Sequence, residues 1–110
     1  MNWKSITDIK QLELIDEQSF TKKALIFKHS TRCSISSASL NRIERNWKEE
    51  YSDKLDVYYL DLLQYRDISN AIAAHYQIIH QSPQALIISN GKCIFSQTHS
   101  EINLNDLLSA

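Results

Sequence analysis

The segment Leu25-Ile26-Phe27-Lys28-His29-Ser30-Thr31-Arg32-Cys33-Ser34-Ile35-Ser36 constrains this chain more than any other. A continuous apolar run ends, five polar residues follow, and Cys33 then stands at the mouth of an amphipathic stretch. A run such as Ala24-Leu25-Ile26-Phe27 suits a central strand covered on both faces. From about Ser34 to Glu50 the apolar positions Leu40, Ile43 and Trp47 recur at helical spacing, with Asn41, Arg42, Glu44, Arg45 and Lys48 on the wet side. The sequence therefore predicts a strand, a short loop and a helix whose first turn carries a thiol. Unpaired backbone N–H groups and the helix dipole favour the thiolate at such a position.

The rest of the chain supplies the partners of that unit. A first helix is expected from Thr7 or Asp8 to about Gln18, with Ile9, Leu12 and Ile15 on one face. Leu55–Asp61 is β-branched and aromatic enough for a second strand. A third helix is expected from Asp67 or Ser69 to Tyr76, its apolar side carrying Ile68, Ala71, Ile72 and His75, the last read as a satisfied core residue. Gln84–Ser89 and Lys92–Gln97 flank Asn90-Gly91, the preferred two-residue hairpin turn, and Asn103–Leu108 reads as a short closing helix. Strands separated by helices are expected to pair in parallel, and the last two must be antiparallel. The expected fold class is α/β, with a central mixed four-stranded sheet and helices on both faces.

Composition narrows the function. At 110 residues the chain reads as a single domain over 1–110, and a net charge of −1 gives no reason to expect nucleic acid or an anionic membrane as partner. No apolar run approaches the ~20 residues needed to cross a bilayer. Met1–Ser5 lacks the apolar stretch of a secretory signal, so a cytoplasmic location is expected. Two cysteines, with no CxxC and no paired Cys/His spacing, argue against both a disulfide framework and a metal site. The single proline, in Gln81-Ser82-Pro83-Gln84, stands just before an apolar run, where a strand start would favour the trans form and a thiol-exchange site the cis form.

A helix end contributes about 0.3–1 kcal/mol toward a thiolate, which is too little alone. The backbone N–H groups of Ile35 and Ser36, the hydroxyl groups of Ser34 and Ser36 and the Arg32 cation are the candidates for the remainder. Ser36 stands where a dithiol protein carries its resolving cysteine, so the chemistry reads as monothiol. Cys93, in the last strand, reads as core filler. His29 and His80 are possible auxiliary groups, by acid–base action or by charge. Asp61, a further carboxylate near the same end, reads as a solvated strand-end residue.

Lys28-His29-Ser30-Thr31-Arg32-Cys33-Ser34-Ile35-Ser36, Ser69-Asn70-Ala71-Ile72-Ala73, His80-Gln81-Ser82-Pro83-Gln84 and Asn90-Gly91-Lys92 together resemble the thioredoxin superfamily. More narrowly they resemble its bacilliredoxin-like monothiol YtxJ family, over essentially the whole chain. The resemblance implies a thioredoxin-like fold with a cis-proline, a catalytic Cys33, and Thr31, Ser82 and Pro83 as residues that meet substrate. It implies a cytoplasmic thiol–disulfide oxidoreductase, read as a monomer, that removes bacillithiol from protein mixed disulfides. Bacillithiol would be the co-substrate and bacillithiolated proteins the partners, with no bound cofactor. One position departs from the family: Ser34 replaces the usual proline, restoring a backbone donor and adding a hydroxyl. The alternative is a stress-associated binding module that kept the fold without turnover. Iron–sulfur binding is disfavoured, because the Cys-Gly-Phe-Ser pattern of cluster-binding monothiol proteins is missing.

Overall fold

A computed structural model describes residues 1–110. Its elements are β1 (Lys4–Ser5), α1 (Gln11–Gln18), β2 (Lys23–His29), α2 (Ser34–Asn46), β3 (Leu55–Asp61), α3 (Arg66–Tyr76), β4 (Gln84–Ser89), β5 (Lys92–Thr98) and α4 (Leu104–Ser109). They form one sheet in the order β1-β3-β2-β4-β5. The β2 run is central, as its unbroken apolar character requires. Its side chains alternate between two cores: Ala24 and Ile26 pack with Leu12, Ile15, Ile68 and Ile72 of α1 and α3. Leu25 and Phe27 pack with Ile43, Leu104 and Leu107 of α2 and α4. Each of the larger of these side chains (Leu25, Ile26, Phe27), fully buried, contributes about 1.5–3 kcal/mol of transfer free energy.

Several expectations change, among them that α1 starts at Gln11, leaving Ile9 outside it and exposed. The sheet has five strands, because Lys4 and Ser5 pair in parallel with Tyr58 and Tyr59. Both of these residues are exposed and only two long, so no apolar alternation marks them. β2 and β3 are parallel, but β4 lies antiparallel against β2 even though a helix separates them. The cause is the segment from Gln77 to Pro83. Gln77 ends α3 in the left-handed region (φ 55°), and seven residues can then span at most about 23–25 Å. That is enough to undo the crossing made by α3, so β4 starts at the end where β3 finished. Finally, α2 stops at Asn46 rather than near Glu50, because Trp47 turns extended (ψ 137°) and sets its ring edge-on to Tyr51 at 5.6 Å.

The hairpin is as read: Asn90 (φ 53°) and Gly91 (φ 74°) are both left-handed. His75 is not in the core. It is exposed on α3, with its Nε2 2.5 Å from Asp16 Oδ2 of α1, and Asp16 Oδ1 accepts from the Tyr76 hydroxyl at 2.7 Å.

Candidate active site

β2 and β4 deliver two loops to one end of the sheet. Lys28 pairs with Gln84, so the residues that follow His29 and those that precede Gln84 emerge side by side. After β2 the chain turns tightly, with the Cys33 N–H donating to Ser30 O at 3.1 Å. Cys33 is the N-cap of α2, in extended conformation (φ −109°, ψ 119°), and its carbonyl accepts the first helical bond from Ser37 N at 3.1 Å. The N–H groups of Ser34, Ile35 and Ser36 donate to no backbone or side-chain acceptor in the protein. The first turn carries no acidic residue to oppose a negative charge there. A half-buried thiol thus stands beside three open donors at the positive end of a 13-residue helix.

Around it, Thr31, Arg32, Ser34 and Ile35 are exposed, and Arg32 makes no ion pair. Ser36 is fully buried, and its hydroxyl does not face the thiol. It accepts from Ser30 N–H at 3.0 Å and lies 2.6 Å from His29 Nδ1. The hydroxyl oxygen has a second lone pair as well as its own proton, so it and Nδ1 share one hydrogen bond, donated by whichever partner carries the proton. What Ser36 leaves for a thiolate is its backbone N–H. The hydroxyl instead ties the strand end to the helix and fixes the loop that carries Cys33.

On the facing segment, Ser82 is half-buried, and its N–H and C=O have no partner. Pro83 is buried, the Ser82–Pro83 bond is cis, and Pro83 O accepts from His99 N at 3.1 Å. His99 O in turn accepts from Ser39 Oγ of α2 at 3.0 Å, so this segment is tied to the helix that carries the thiol. His99, unremarkable in the sequence, does this from a left-handed conformation (φ 54°).

Neither histidine offers a positive charge at neutral pH. Burial holds His29 below its ordinary value, against weaker opposing pulls from Asp61 and Glu44. Burial, then Lys28 and Arg66, hold His80 below its own. Asp61 is half-buried on β3, beside His29 in register, with one oxygen accepting from Gln64 N at 3.3 Å.

The sequence reading missed Lys28. Its ammonium is completely buried on the opposite sheet face from His29, reaching Ser69 O at 3.1 Å and His80 Nδ1 at 3.2 Å. The only signal was its place inside a strand buried on both sides, where a lysine at the end of an apolar run reads as the strand's wet edge.

Cys93 pairs with Ile88, four residues along β4 from Gln84, which puts it about 13 Å down the strand from the site end. Its thiol donates to Phe95 O at 3.4 Å, and burial pushes its pKa up. It is beyond disulfide reach of Cys33. No group of three His, Cys, Asp or Glu side chains is placed to hold a metal ion.

One thiol at a helix mouth, facing a cis-proline segment on this sheet order, defines a thioredoxin-fold thiol oxidoreductase of the monothiol kind. Comparison with known proteins agrees. The family model described as the monothiol bacilliredoxin BrxC matches residues 4–107, and the chain belongs to that family. Among solved structures, a protein provisionally described as an oxidoreductase with a thioredoxin fold is 31% identical, with a TM-score of 0.80 over 96% of this chain and 89% of its own. The Malassezia sympodialis thioredoxin (17% identity, TM-score 0.76, 98% of this chain and 86% of that one) shares the fold. So does the Fasciola hepatica thioredoxin (15% identity, TM-score 0.73, 96% and 93%).

Proposed function

We propose that this protein removes bacillithiol from protein mixed disulfides through Cys33. The observation that carries the reading is the half-buried Cys33 at the α2 N-cap, among three open N–H groups and with no second thiol in reach. The Cys33 thiolate attacks the bacillithiol sulfur of the mixed disulfide. A new S–S bond forms between Cys33 and bacillithiol, and the substrate protein leaves as a thiolate that takes a proton from water. A second thiol, free bacillithiol or the cysteine of a partner reductase, then attacks the bacillithiol sulfur. It departs as a disulfide with bacillithiol and returns Cys33 to its starting state.

The open N–H and C=O of Ser82 would pair with an extended stretch of the substrate, as an added strand segment. Thr31 and Arg32 line the other side of that path. The cycle needs no bound cofactor and suits a reducing cytoplasm, where low-molecular-weight thiols accumulate.

The test is adduct transfer. A bacillithiolated protein is incubated with the wild-type chain and with Cys33→Ala, and intact masses are followed. Wild type should acquire the bacillithiol mass while the substrate loses it, and Cys33→Ala should do neither. If Cys33→Ala strips the substrate at the wild-type rate, the proposal fails. A parallel arm with glutathionylated substrate reads the selectivity for bacillithiol.

A further inference from the structure

At the site end of the sheet lies a buried positive charge that the transfer reaction does not use. Lys28 comes from β2, Ser69 from α3, and His80 from the segment leading to Ser82 and Pro83; the Lys28 ammonium ties its own strand to the other two. The Ser69 hydroxyl is 3.3 Å from the same His80 Nδ1. Gln84, across the strand from Lys28 and also buried, donates its amide to Ile79 O at 3.1 Å and so holds the same segment from below.

An ammonium group can only donate, so Nδ1 of His80 must accept. The ring then carries its one proton on Nε2, and the exposed ring offers that N–H to solvent, two residues before Ser82. A doubly protonated ring would set an N–H against the ammonium. Arg66, at the start of α3, adds a second positive charge near the ring, and burial works in the same direction. No carboxylate forms an ion pair with Lys28, Arg66 or His80, and Asp67, in the same helical turn, pairs with none of them.

If Lys28 merely filled the core, an apolar side chain of similar length would fill the space without burying a charge. What only an ammonium supplies here is the simultaneous bond to a helix carbonyl and to an imidazole nitrogen.

We propose that Lys28 is a positioning residue for the Cys33 site: it clamps the Ile79–Pro83 segment to β2 and α3 and holds His80 as a neutral Nε2–H donor at the substrate edge. The functional half rests on the transfer reaction proposed above. A donor beside the open Ser82 groups suits a carbonyl or carboxylate of the incoming substrate.

Histidine-selective 15N NMR on the full chain should show His80 as the Nε2–H tautomer. In Lys28→Met its titration midpoint should move up, because one of the cations that lower it is gone, and the Gln81 and Ser82 amides should exchange faster. In adduct transfer, Lys28→Met should raise KM about tenfold, the worth of one charge-assisted hydrogen bond, with kcat within about twofold. In a His80→Ala background the same substitution should have little further effect on KM.

An Nδ1–H tautomer in the wild type, or a His80 midpoint unmoved in Lys28→Met, overturns the clamp. So does a KM change that persists undiminished without His80. If the wild type itself transfers no bacillithiol, the reaction falls, and the spectroscopic and exchange measurements still decide the clamp.

Discussion

Replacing Lys28 with methionine should make this protein more stable, against the usual direction for a fully buried residue. Burial lowers the Lys28 pKa from the ordinary 10.5 to about 8. That gap corresponds to about 3 kcal/mol by which the charged form is disfavoured in the fold at pH 7. Methionine removes this penalty and forfeits the bonds to Ser69 O and His80 Nδ1, leaving an expected gain of about 1–3 kcal/mol. The pH dependence gives a sharper measure. Between pH 7 and 9.5 the unfolded lysine keeps its proton while the folded one gives it up. The unfolded state therefore binds more protons, and wild-type stability rises relative to the variant by about 2 kcal/mol over that window. Cys93, Tyr58, Tyr59 and Tyr76, all with raised pKa values, work the other way at the alkaline end, so the comparison uses the difference between the two proteins. Urea unfolding of both proteins at several pH values reads it directly. A variant less stable than wild type at pH 7, or a difference that does not shrink toward pH 9.5, refutes the reasoning.

Ser36→Ala removes the hydroxyl that bridges Ser30 N–H and His29 Nδ1, leaving both of these buried groups unmet. It should cost about 2–4 kcal/mol in urea unfolding, and a loss below about 0.5 kcal/mol would show that the bridge does not hold the loop. On the acid side, the folded His29 and His80 both bind protons more weakly than the unfolded chain. Stability should therefore be complete above pH ~6.5 and fall as the pH drops below it, and a melting temperature unchanged from pH 7 to 5 would contradict this. With iodoacetamide near pH 8, Cys93 should be modified more slowly than Cys33, because burial raises its pKa and its thiol is bonded to Phe95 O. Peptide masses resolve the two sites, and equal rates would count against the assignment of Cys33 as the reactive thiol.

What the sequence revealed and what it hid follow one division. Features set by local physics were legible. The unbroken Ala24–Phe27 run marks a doubly covered strand, Asn90-Gly91 marks a turn needing two left-handed residues, and Cys33 falls at the N-cap where the polar loop meets the helix. Features set by long-range pairing were not. Nothing local reports that the Gln77–Pro83 segment reverses β4, or that two exposed residues near the N-terminus add a strand. The site divides in the same way. The thiol and the proline could be named from their neighbours, whereas the Ser36–His29 bond needs the helix start folded back on the strand end. The Lys28 contacts need α3 and the His80 segment brought together over one sheet face. A lysine in a strand carries no mark of burial when the strand is covered on both sides, and a histidine on an amphipathic helix carries no mark of exposure. For those two reasons the role of Lys28 does not show in the sequence, and His75 is read there as a core residue.

The remoteness of Cys93 bears on the timing of the proposed cycle. In a dithiol protein the adduct collapses at a fixed rate, because its second sulfur is tethered nearby at a high effective concentration. Here Cys93 is about four strand residues away along the sheet, so any mixed disulfide at Cys33 waits for a molecule from solution. In the proposed cycle its lifetime would vary inversely with the concentration of the reducing thiol, whether free or on a partner reductase. Under oxidative load, when that pool shrinks, the loaded form would persist. On that reaction the fraction of chains carrying an adduct would become a gauge of the pool itself, set by the separation of two cysteines.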